Sequence, residues 1–466
     1  MKIFYTLFAV LIILGTGCKN DTATTSNPEE RPAVIESKNK RELPAWASNA
    51  NIYEVNIRQY TPEGTFNAFA KHLPRLKNMG VDILWFMPIF PISSTKKKGT
   101  LGSYYAVSDF KTTNPEFGTL EDFQNIIDRA HTLGMKIILD WVPNHTGWDH
   151  VWITSNPEFY TKDKDGNIID PIDPGTGKSW GWTDVADLNY DNNDMRKAMI
   201  SDMLYWINDM NVDGFRMDVA HNVPNDFWAE AANKLYAAND SIFMLAESET
   251  VEHINNGYFH AIYGWGIHHR LNDIAKGHKS AKSLDTLLAE KKSAINQGMY
   301  MNFITNHDEN SWAGTVEERM GDGADAFAVL AMTFDGIPLI YGGQEEPLTR
   351  RLEFFEKDDI GFKNFAKGKF LKTLLTLKKR NKALGNGSYS APVVKIGDSE
   401  HIYAFMKEKG DDKVAVMVNL SNEKQEIRLT KAVLGMTNIF TGSQVEMGPG
   451  TRKSLDPWEY WVASNR

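Results

Sequence analysis

NVDGFRMDVAH, residues 211–221, is the stretch that decides how the rest of this chain is interpreted. It has the apolar content of a buried strand, yet it carries Arg216 and Asp218 two positions apart. Successive side chains of a strand point to opposite faces, so these two residues share one face while Phe215 and Met217 share the other. An ordinary ion pair at a strand end is one interpretation. A functional site that uses both charges is the other, and the remaining sequence has to decide.

Seven similar apolar runs are spaced along the chain, and longer helix-like segments separate them. They cover residues 51–59, 82–88, 136–145, 242–248, 259–265, 301–309 and 337–345, and residues 214–221 supply the eighth run. Short apolar runs that alternate with helices are typical of parallel strands in β/α units. Eight such units predict an α/β fold with a closed (β/α)8 barrel, also called a TIM barrel.

Charged and polar residues lie late in several of these runs. They are Asp140, His145, Arg216, Asp218, Glu247, His307 and Asp308. A solvated charge has no reason to prefer one end of a strand. Because such barrels keep their chemistry at the C-terminal strand ends, this placement predicts that distant segments share one site.

Two carboxyl groups that face each other across a sugar can cleave a glycosidic bond, if one is ionised while the other is protonated. Arg216 would favour the ionised form of Asp218. Glu247 follows apolar residues with no cation beside it in the sequence, and an apolar setting raises a carboxyl pKa. We therefore expect Asp218 to be the nucleophile and Glu247 to be the general acid and base. Asp308 would be a third acid that binds hydroxyl groups or supports the transition state.

The order and spacing of these motifs resemble the signature regions of the α-amylase family, glycoside hydrolase family 13. The motifs are DWVPNH (140–145), GFRMDVAH (214–221), AES (246–248) and FITNHDE (303–309), with VADLN (185–189) and GIPLIYGGQE (336–345) as further matches. The resemblance extends over roughly residues 45–466. It implies a retaining mechanism with the three acids in the roles given above.

The resemblance also implies roles for residues around the acids. Arg216 would hold the nucleophile, and His145 and His307 would bind the sugar next to the scissile bond. Tyr105, in SYYAVSDF (103–110), would stack under that sugar.

Asn144 and Asp187 match positions that bind a structural calcium ion in many members of the family. Oxygen ligands suit calcium, so the resemblance implies Ca²⁺ at this place and no organic cofactor. Plain turn residues are the open alternative for both positions.

The sequence divides into a catalytic barrel at residues 44–386 and a C-terminal antiparallel β-sandwich at 387–466, where short alternating strands replace the β/α pattern. A small inserted domain B is expected after the third strand, at residues 145–185. The insertion contains Trp148, Trp152, Trp180 and Trp182. Their rings would either stack on sugars or form the core of the insertion.

The N-terminus has a lysine at position 2 and then an apolar run that is too short to span a bilayer, which predicts a signal peptide at residues 1–17. The single cysteine, Cys18, follows small residues and resembles the lipidation site of bacterial lipoproteins. Residues 18–43 would then be a lipidated flexible tether that anchors the protein to a bacterial membrane, at the outer membrane or the cell surface. A plain cleaved signal with an unrelated cysteine is the alternative.

The formal net charge of −9 and the isoelectric point near 5.8 argue against nucleic acid as a partner, because a phosphate-binding surface needs excess positive charge. A neutral α-glucan or maltooligosaccharide fits better. The leading hypothesis is an exported α-amylase-type hydrolase of α-1,4-glucosidic bonds. The alternatives are a neopullulanase, cyclomaltodextrinase or transglycosylase with the same acids, and a catalytically silent glycan-binding lipoprotein.

Overall fold

The computed structural model describes residues 40–173 and 175–466, and Cys18, the expected signal peptide and most of the expected tether lie outside this part of the chain. The strands are β1 (Ile52–Val55), β2 (Ile83–Phe86), β3 (Lys136–Trp141), β4 (His145–Gly147), β5 (Val185–Asp187), β6 (Gly214–Met217), β7 (Phe243–Ala246), β8 (Ala261–Tyr263), β9 (Met299–Asn302), β10 (Ile337–Tyr341), β11 (Val394–Lys395), β12 (Ile402–Lys409), β13 (Asp412–Asn419), β14 (Gln425–Arg428), β15 (Val433–Asn438), β16 (Gln444–Met447), β17 (Arg452–Leu455) and β18 (Tyr460–Ser464). The α-helices are α1 (Ile57–Tyr60), α2 (Phe66–Ala70), α3 (Leu73–Met79), α4 (Leu120–Thr132), α5 (Val151–Ser155), α6 (Asn193–Asn208), α7 (Asn225–Ala238), α8 (Glu252–Asn255), α9 (Trp265–Ala275), α10 (Ser283–Ala294), α11 (Val316–Met320), α12 (Ala324–Thr333) and α13 (Gly368–Arg380). Shorter 3-10 turns occur at Ala45–Ala47, Pro157–Phe159, Ala220–Asn222, Gly321–Gly323 and Gly387–Tyr389, and a π-helical turn occurs at Glu309–Ala313.

Eight parallel strands close into a barrel in the order β1-β10-β9-β8-β7-β6-β3-β2. Each predicted run supplies one of these strands, so the predicted (β/α)8 barrel is confirmed. Most strands are shorter at their C-terminal ends than the runs that predicted them, because the polar residues at the end of each run lie in the following loop. β9 also begins earlier than predicted, at Met299.

Side chains alternate between the barrel interior and the surrounding helices. Ile52 and Ile138 point inward with other apolar residues, whereas residues next to them on the strands pack outward. The next inward positions on the same strands and on β6 are Glu54, Asp140 and Arg216, each essentially without solvent exposure. The interior layer nearest the C-terminal strand ends is therefore charged although it is fully buried.

Gly214 at the start of β6 permits a very close approach to β7. Its φ is +141°, and a Cβ at this position would lie 1.9 Å from the carbonyl oxygen of Phe243. Only glycine fits such a contact without moving the backbone. In the resulting register Arg216 lies beside Leu245, two residues before Glu247.

The segment between β3 and β6 contains the predicted inserted domain. Its short strands β4 and β5 pair antiparallel, with His145 opposite Asp187. Trp152 is buried there against Phe159, with ring centroids 5.5 Å apart, and forms part of the core of the insertion.

The C-terminal region contains a six-stranded sheet in the order β11-β12-β13-β18-β15-β16 and a two-stranded sheet of β14 and β17. The pairs within both sheets are antiparallel, as predicted. Ile427 and Leu455 of the smaller sheet share an apolar core with the larger one. The buried Nζ of Lys407 lies 2.7 Å from Asp335, which follows helix α12 of the barrel.

Residues 41–43, the last part of the expected flexible tether, are packed instead of free. The guanidinium of Arg41 lies 3.8 Å from the ring centre of Tyr236, and Leu43 packs against the apolar barrel interior. The residues before the barrel thus cover part of its N-terminal end. Within residues 40–173 and 175–466, no helix has both the length and the apolar character required to cross a bilayer.

Candidate active site

Arg216 is the centre of a buried charge cluster at the C-terminal mouth of the barrel. Its Nη1 donates hydrogen bonds of 2.8 Å to Asp140 and to Asp218. Its Nη2 lies 3.0 Å from Glu247 Oε2, and its Nε donates to the hydroxyl of Tyr263 at 3.2 Å. One guanidinium therefore contacts three carboxylates, which answers why β6 carries an arginine two residues before an aspartate.

Asp218 lies directly after the last residue of β6 and is 6% exposed. Its own N–H donates to Trp141 O at 2.8 Å, which fixes the backbone at the strand end. The next residue, Val219, has φ +44°, an unusual and strained conformation for a β-branched residue. This turn directs the Val219 N–H to Glu247 Oε2 at 2.8 Å. The backbone after β6 thus positions both acids.

The sequence analysis found Asp140 late in its strand but predicted no role for it. Besides Arg216, it accepts hydrogen bonds at 3.1 Å from the indole of Trp85 and from the hydroxyl of Tyr105. The carboxylate is fully buried, and burial raises its pKa to about 6. Asp140 therefore holds both the arginine and the tyrosine in place.

His307 connects the third acid to this cluster. Its Nδ1 lies 2.5 Å from Glu54 Oε1, and its Nε2 lies 2.8 Å from the Tyr105 hydroxyl and 3.2 Å from Asp308 Oδ2. Although burial opposes a charge here, Asp308 and Glu54 together raise the pKa of His307 to about 9. The imidazole is thus protonated at neutral pH and donates from both nitrogens.

Tyr105 and His145 lie at the same mouth as predicted. The Tyr105 ring stacks near His307 and Phe354, at centroid distances of 5.6 and 6.3 Å. His145 is buried beside Asn144, and burial lowers its pKa to about 4, so the imidazole is neutral and able to accept a hydrogen bond. The structure therefore brings all seven predicted catalytic and sugar-binding residues to the C-terminal strand ends.

The predicted directions of the pKa shifts of two acids, Glu247 and Asp218, are wrong. Glu247 does have a cation nearby: although burial alone would raise its pKa, Arg216 and the Val219 N–H hold the pKa below its ordinary value. Burial raises the pKa of Asp218 well above its usual range in spite of Arg216, and it raises that of Asp308 as well. Burial opposes the ionisation of these neighbouring carboxylates, and because Asp218 and Glu247 lie in contact with one guanidinium their titrations depend on each other.

Asn144 and Asp187 come close together across the β4–β5 pair, where the Leu188 N–H donates to Asn144 O at 3.2 Å. Partial burial raises the pKa of Asp187 to about 6 in spite of a hydrogen bond with Thr161, and no basic residue of the described chain forms an ion pair with this carboxylate. No group of three or more His, Cys, Asp or Glu suited to a metal occurs in that same part of the chain. The two side chains fit a calcium ion as part of an oxygen ligand set that main-chain carbonyls and water would have to complete.

Three residues of the site were not predicted: Glu54, Trp85 and Tyr263. Glu54 interrupts an apolar run, and its position two residues after Ile52 would have placed it inside the barrel. Trp85 and Tyr263 lie in strands of ordinary apolar composition, and nothing in the sequence around them distinguishes them from core residues. Their contacts with Asp140 and Arg216 exist only in the closed barrel.

The α-amylase catalytic-domain family model matches residues 32–424. Among curated proteins, α-amylase 3 of Dictyoglomus thermophilum is 27% identical over 334 residues, which are 64% of this chain and 64% of that protein. α-Amylase MalA of Haloarcula japonica is 26% identical, and the match covers 88% of this chain and 61% of that protein. The chain thus spans less than two thirds of the length of these curated relatives. A cyclomaltodextrinase of Thermoanaerobacter pseudethanolicus is 24% identical over 85% of this chain and 74% of its own length.

Solved structures extend the similarity to three dimensions. An α-amylase from Lactobacillus plantarum has a TM-score of 0.79 and 29% identity, and the match covers 90% of this chain and 99% of that one. The maltogenic α-amylase AmyB from Thermotoga neapolitana has the same TM-score of 0.79 and 26% identity, with 89% and 98% covered. Because the family model takes in the whole barrel with the carboxylate cluster at its mouth, this chain belongs to the α-amylase family of glycoside hydrolases.

Proposed function

We propose that the protein is a retaining glycoside hydrolase that cleaves α-1,4-glucosidic bonds in starch-like glucans or maltooligosaccharides. The observation that carries this proposal is the gathering of Asp218, Glu247 and Asp308 at one barrel mouth around Arg216 and His307. Two α-amylases and a cyclomaltodextrinase among the relatives support the substrate class.

In the proposed reaction, the Asp218 carboxylate attacks the anomeric carbon while Glu247 donates its proton to the departing glycosidic oxygen. A covalent glycosyl ester of Asp218 forms, and the C–O bond to the leaving sugar breaks. Water then attacks the same carbon, Glu247 takes up its proton, and Asp218 is released. Asp308 and the sugar-binding residues Tyr105 and His145 would hold the distorted sugar ring.

Glu247 has to carry a proton before it can act as an acid. Arg216 Nη2 and the Val219 N–H favour the carboxylate of Glu247, whereas burial favours the protonated form of Asp218. A bound sugar that excludes water from the mouth would raise the pKa of Glu247 and so favour the protonated form that the reaction needs. We then expect a bell-shaped dependence of kcat on pH, with two limbs that reflect the coupled titration of Asp218 and Glu247. Glu247→Gln should remove one limb together with most of kcat.

The alternatives use the same acids and differ in products. A cyclomaltodextrinase or neopullulanase type would open cyclodextrins or release panose from pullulan. A transglycosylase would pass the glycosyl group to a sugar hydroxyl instead of water. The catalytically silent glycan-binding protein would bind maltooligosaccharides without turnover.

The deciding experiment is product analysis on amylose, pullulan and β-cyclodextrin with the wild type and Asp218→Asn. Asp240→Asn is a matched control, because Asp240 precedes β7 and so lies at the opposite end of the barrel. We expect mixed maltooligosaccharides from amylose, and a loss of turnover of at least about 10³-fold in Asp218→Asn only. Panose or ring opening would favour the alternative enzymes, and absence of turnover in the wild type would overturn the hydrolase.

We propose that Asn144 and Asp187 hold a structural Ca²⁺ near the mouth. A half-buried carboxylate with a raised pKa and no basic partner among the described residues is what a divalent cation would neutralise. The ion would tie domain B to the barrel without taking part in bond cleavage.

We propose further that residues 1–17 direct export and that Cys18 carries a lipid that anchors the protein to a bacterial membrane through the segment up to residue 40. The support comes from the apolar run and the single cysteine of the sequence. Labelling with a fatty-acid probe tests this: the wild type should be labelled and Cys18→Ala should not. Equal labelling, or none in the wild type, would contradict lipidation.

A further inference from the structure

The side chain of Asp308 has few contacts that could fix its direction. It is 36% exposed, and its one ion pair in the described part of the chain joins Oδ2 to His307 Nε2 at 3.2 Å. It makes no capping hydrogen bond to the π-helical turn that begins at the next residue. The direction of this acid is therefore set mainly by the backbone on either side of it.

The next residue, Glu309, is bound by helices that surround the barrel strands. Its Oε2 lies 2.9 Å from Nε2 of His268 on α9 and 3.6 Å from Nη1 of Arg319 on α11. The side chains of these three residues are at most 15% exposed. The reaction proposed above does not use this carboxylate, although it directly follows one of the three acids.

Glu309 is ionised in these surroundings. Burial alone would raise its pKa, but the hydrogen bond from His268 and the positive charge of Arg319 hold the pKa below its ordinary value. Hydrogen bonds and ion pairs that involve a charged group are stronger than contacts between neutral groups. The two helices therefore hold the start of the turn firmly.

His268 contacts the chain both before and after Asp308. Its ring stacks on that of Phe303 at 4.6 Å between ring centres and an interplanar angle of 14°, and its Nδ1 lies 3.2 Å from Phe303 O. The side chain of His268 has no solvent exposure. One packed ring thus joins the residue that follows β9 to Glu309.

Arg319 connects the same two parts of the chain. Its Nη2 donates to Ile304 O at 2.8 Å, and its Nε donates to Gly314 O at 2.9 Å. Its Nη1 donates to Asn272 Oδ1 on α9 at 2.9 Å. The segment that contains Asp308 is therefore held at both ends by one guanidinium.

The residue before Asp308 is held from the opposite side. His307 contacts Glu54 inside the barrel and the hydroxyl of Tyr105 at the mouth. Asp308 thus lies between one residue that is held from within the barrel and one that is held by the outer helices.

We propose that Glu309, held by His268 and Arg319, is a positioning residue that directs the Asp308 carboxylate toward the sugar in the transition state. This inference rests on the proposed function and deepens it, because it assigns the placement of one catalytic acid to a charge cluster behind the site. Asp308 would act on charge that develops during the reaction. Its displacement should therefore lower kcat and leave KM nearly unchanged.

The test measures kcat and KM for maltoheptaose in Glu309→Ala and Glu309→Gln. We expect kcat to fall at least about tenfold in Glu309→Ala, with KM within about threefold of the wild type. Glu309→Gln should restore most of kcat, because its amide oxygen can still accept a hydrogen bond from His268. Glu317→Ala is the matched control, since it removes the same charge from an exposed position on the helix that carries Arg319.

Two variants of His268 give the answer if Glu309→Ala does not fold. Glutamine can place an amide nitrogen near the position of Nε2 and so reach Glu309, whereas the shorter asparagine side chain stays near Phe303. We expect His268→Asn to lose kcat as Glu309→Ala does, and His268→Gln to retain most of it.

A kcat of Glu309→Ala within about twofold of that of Glu317→Ala would overturn the positioning role while leaving the hydrolase intact. Equal kcat in the two His268 variants would also overturn it. A raised KM with unchanged kcat in Glu309→Ala would overturn it too, because Glu309 would then contribute to substrate binding. A wild type without turnover would overturn the hydrolase and the positioning role together, so the two failures are distinguishable.

Discussion

Replacing Arg216 by methionine should destabilise the folded protein in a pH-dependent way. The guanidinium is fully buried and contacts Asp140, Asp218 and Glu247, whose side chains are 0%, 8% and 15% exposed. Methionine fills much of the same volume without charge. The variant would leave three carboxylates in a buried layer without the cation that contacts all of them, and His307 would be the nearest remaining positive charge.

The magnitude follows from this burial. Removing one partner of a buried ion pair costs about 3–5 kcal/mol, because the remaining charge is left uncompensated. We expect that loss in the free energy of unfolding at pH 8. At pH 5 the carboxyls can take up protons instead, since burial already raises the pKa of Asp140 to about 6 with Arg216 present. In the variant the folded-state pKa values lie further above the unfolded ones, so stability is retained at low pH and lost as the pH rises through them.

Urea unfolding at pH 5 and pH 8, followed by tryptophan fluorescence, measures both values. Arg452→Met is the control, because Arg452 and its partner Glu426 are 69% and 48% exposed and such a pair contributes at most about 1 kcal/mol. A cost below about 1 kcal/mol for Arg216→Met at pH 8, or an equal cost at both pH values, would refute the role assigned to Arg216. Catalytic activity should be lost in either case, so activity alone does not decide.

Further predictions concern a histidine, the proposed calcium site and a glycine. For His307→Gln, the stability gap to the wild type should be full below about pH 6.5 and shrink by about 3 kcal/mol as the pH rises through 9, because the folded-state pKa is raised to about 9; a gap that stays constant in urea titrations across this range would contradict it. Adding CaCl₂ should raise the melting temperature of the wild type by a few degrees and that of Asp187→Asn by much less, as scanning calorimetry can show; equal shifts would argue against calcium at this place. Gly214→Ala should cost more than about 3 kcal/mol or prevent folding, because its Cβ would lie 1.9 Å from a carbonyl oxygen. Gly410→Ala, at φ +60° with open space around it, should cost only about 1 kcal/mol, and similar circular-dichroism melts for the two variants would contradict the close contact.

The barrel could be predicted because its strands are buried on both faces. A run such as ILWF at residues 83–86 is apolar throughout, and this pattern survives without knowledge of its neighbours. The ends of the strands were harder to predict. Phe303 and Ile304 continue the apolar character of β9 but lie in a loop, and the polar motif residues after them lead into a π-helical turn.

The three proposed catalytic acids could be predicted from their positions late in their own runs, whereas Glu54, Trp85 and Tyr263 could not. The electrostatics of the site were also not predictable. The ion pair between Arg216 and Glu247 could not be predicted, because it depends on the register of β6 against β7. The residues next to Glu247 in the sequence belong to its own strand and loop and do not include Arg216. The sequence therefore predicted a raised pKa for Glu247, whereas the structure lowers it.

The order of the C-terminal sheet has a consequence for synthesis. β18 lies between β13 and β15, although it follows both along the chain. A growing chain therefore presents two unpaired strand edges, on β13 and β15, until residues 460–464 have left the ribosome. Unpaired edges can form a sheet with another chain and so promote aggregation. Products terminated before Tyr460 should aggregate instead of forming a slightly smaller domain. Correct folding of the whole C-terminal sheet therefore depends on β18, because this strand fills the gap between β13 and β15.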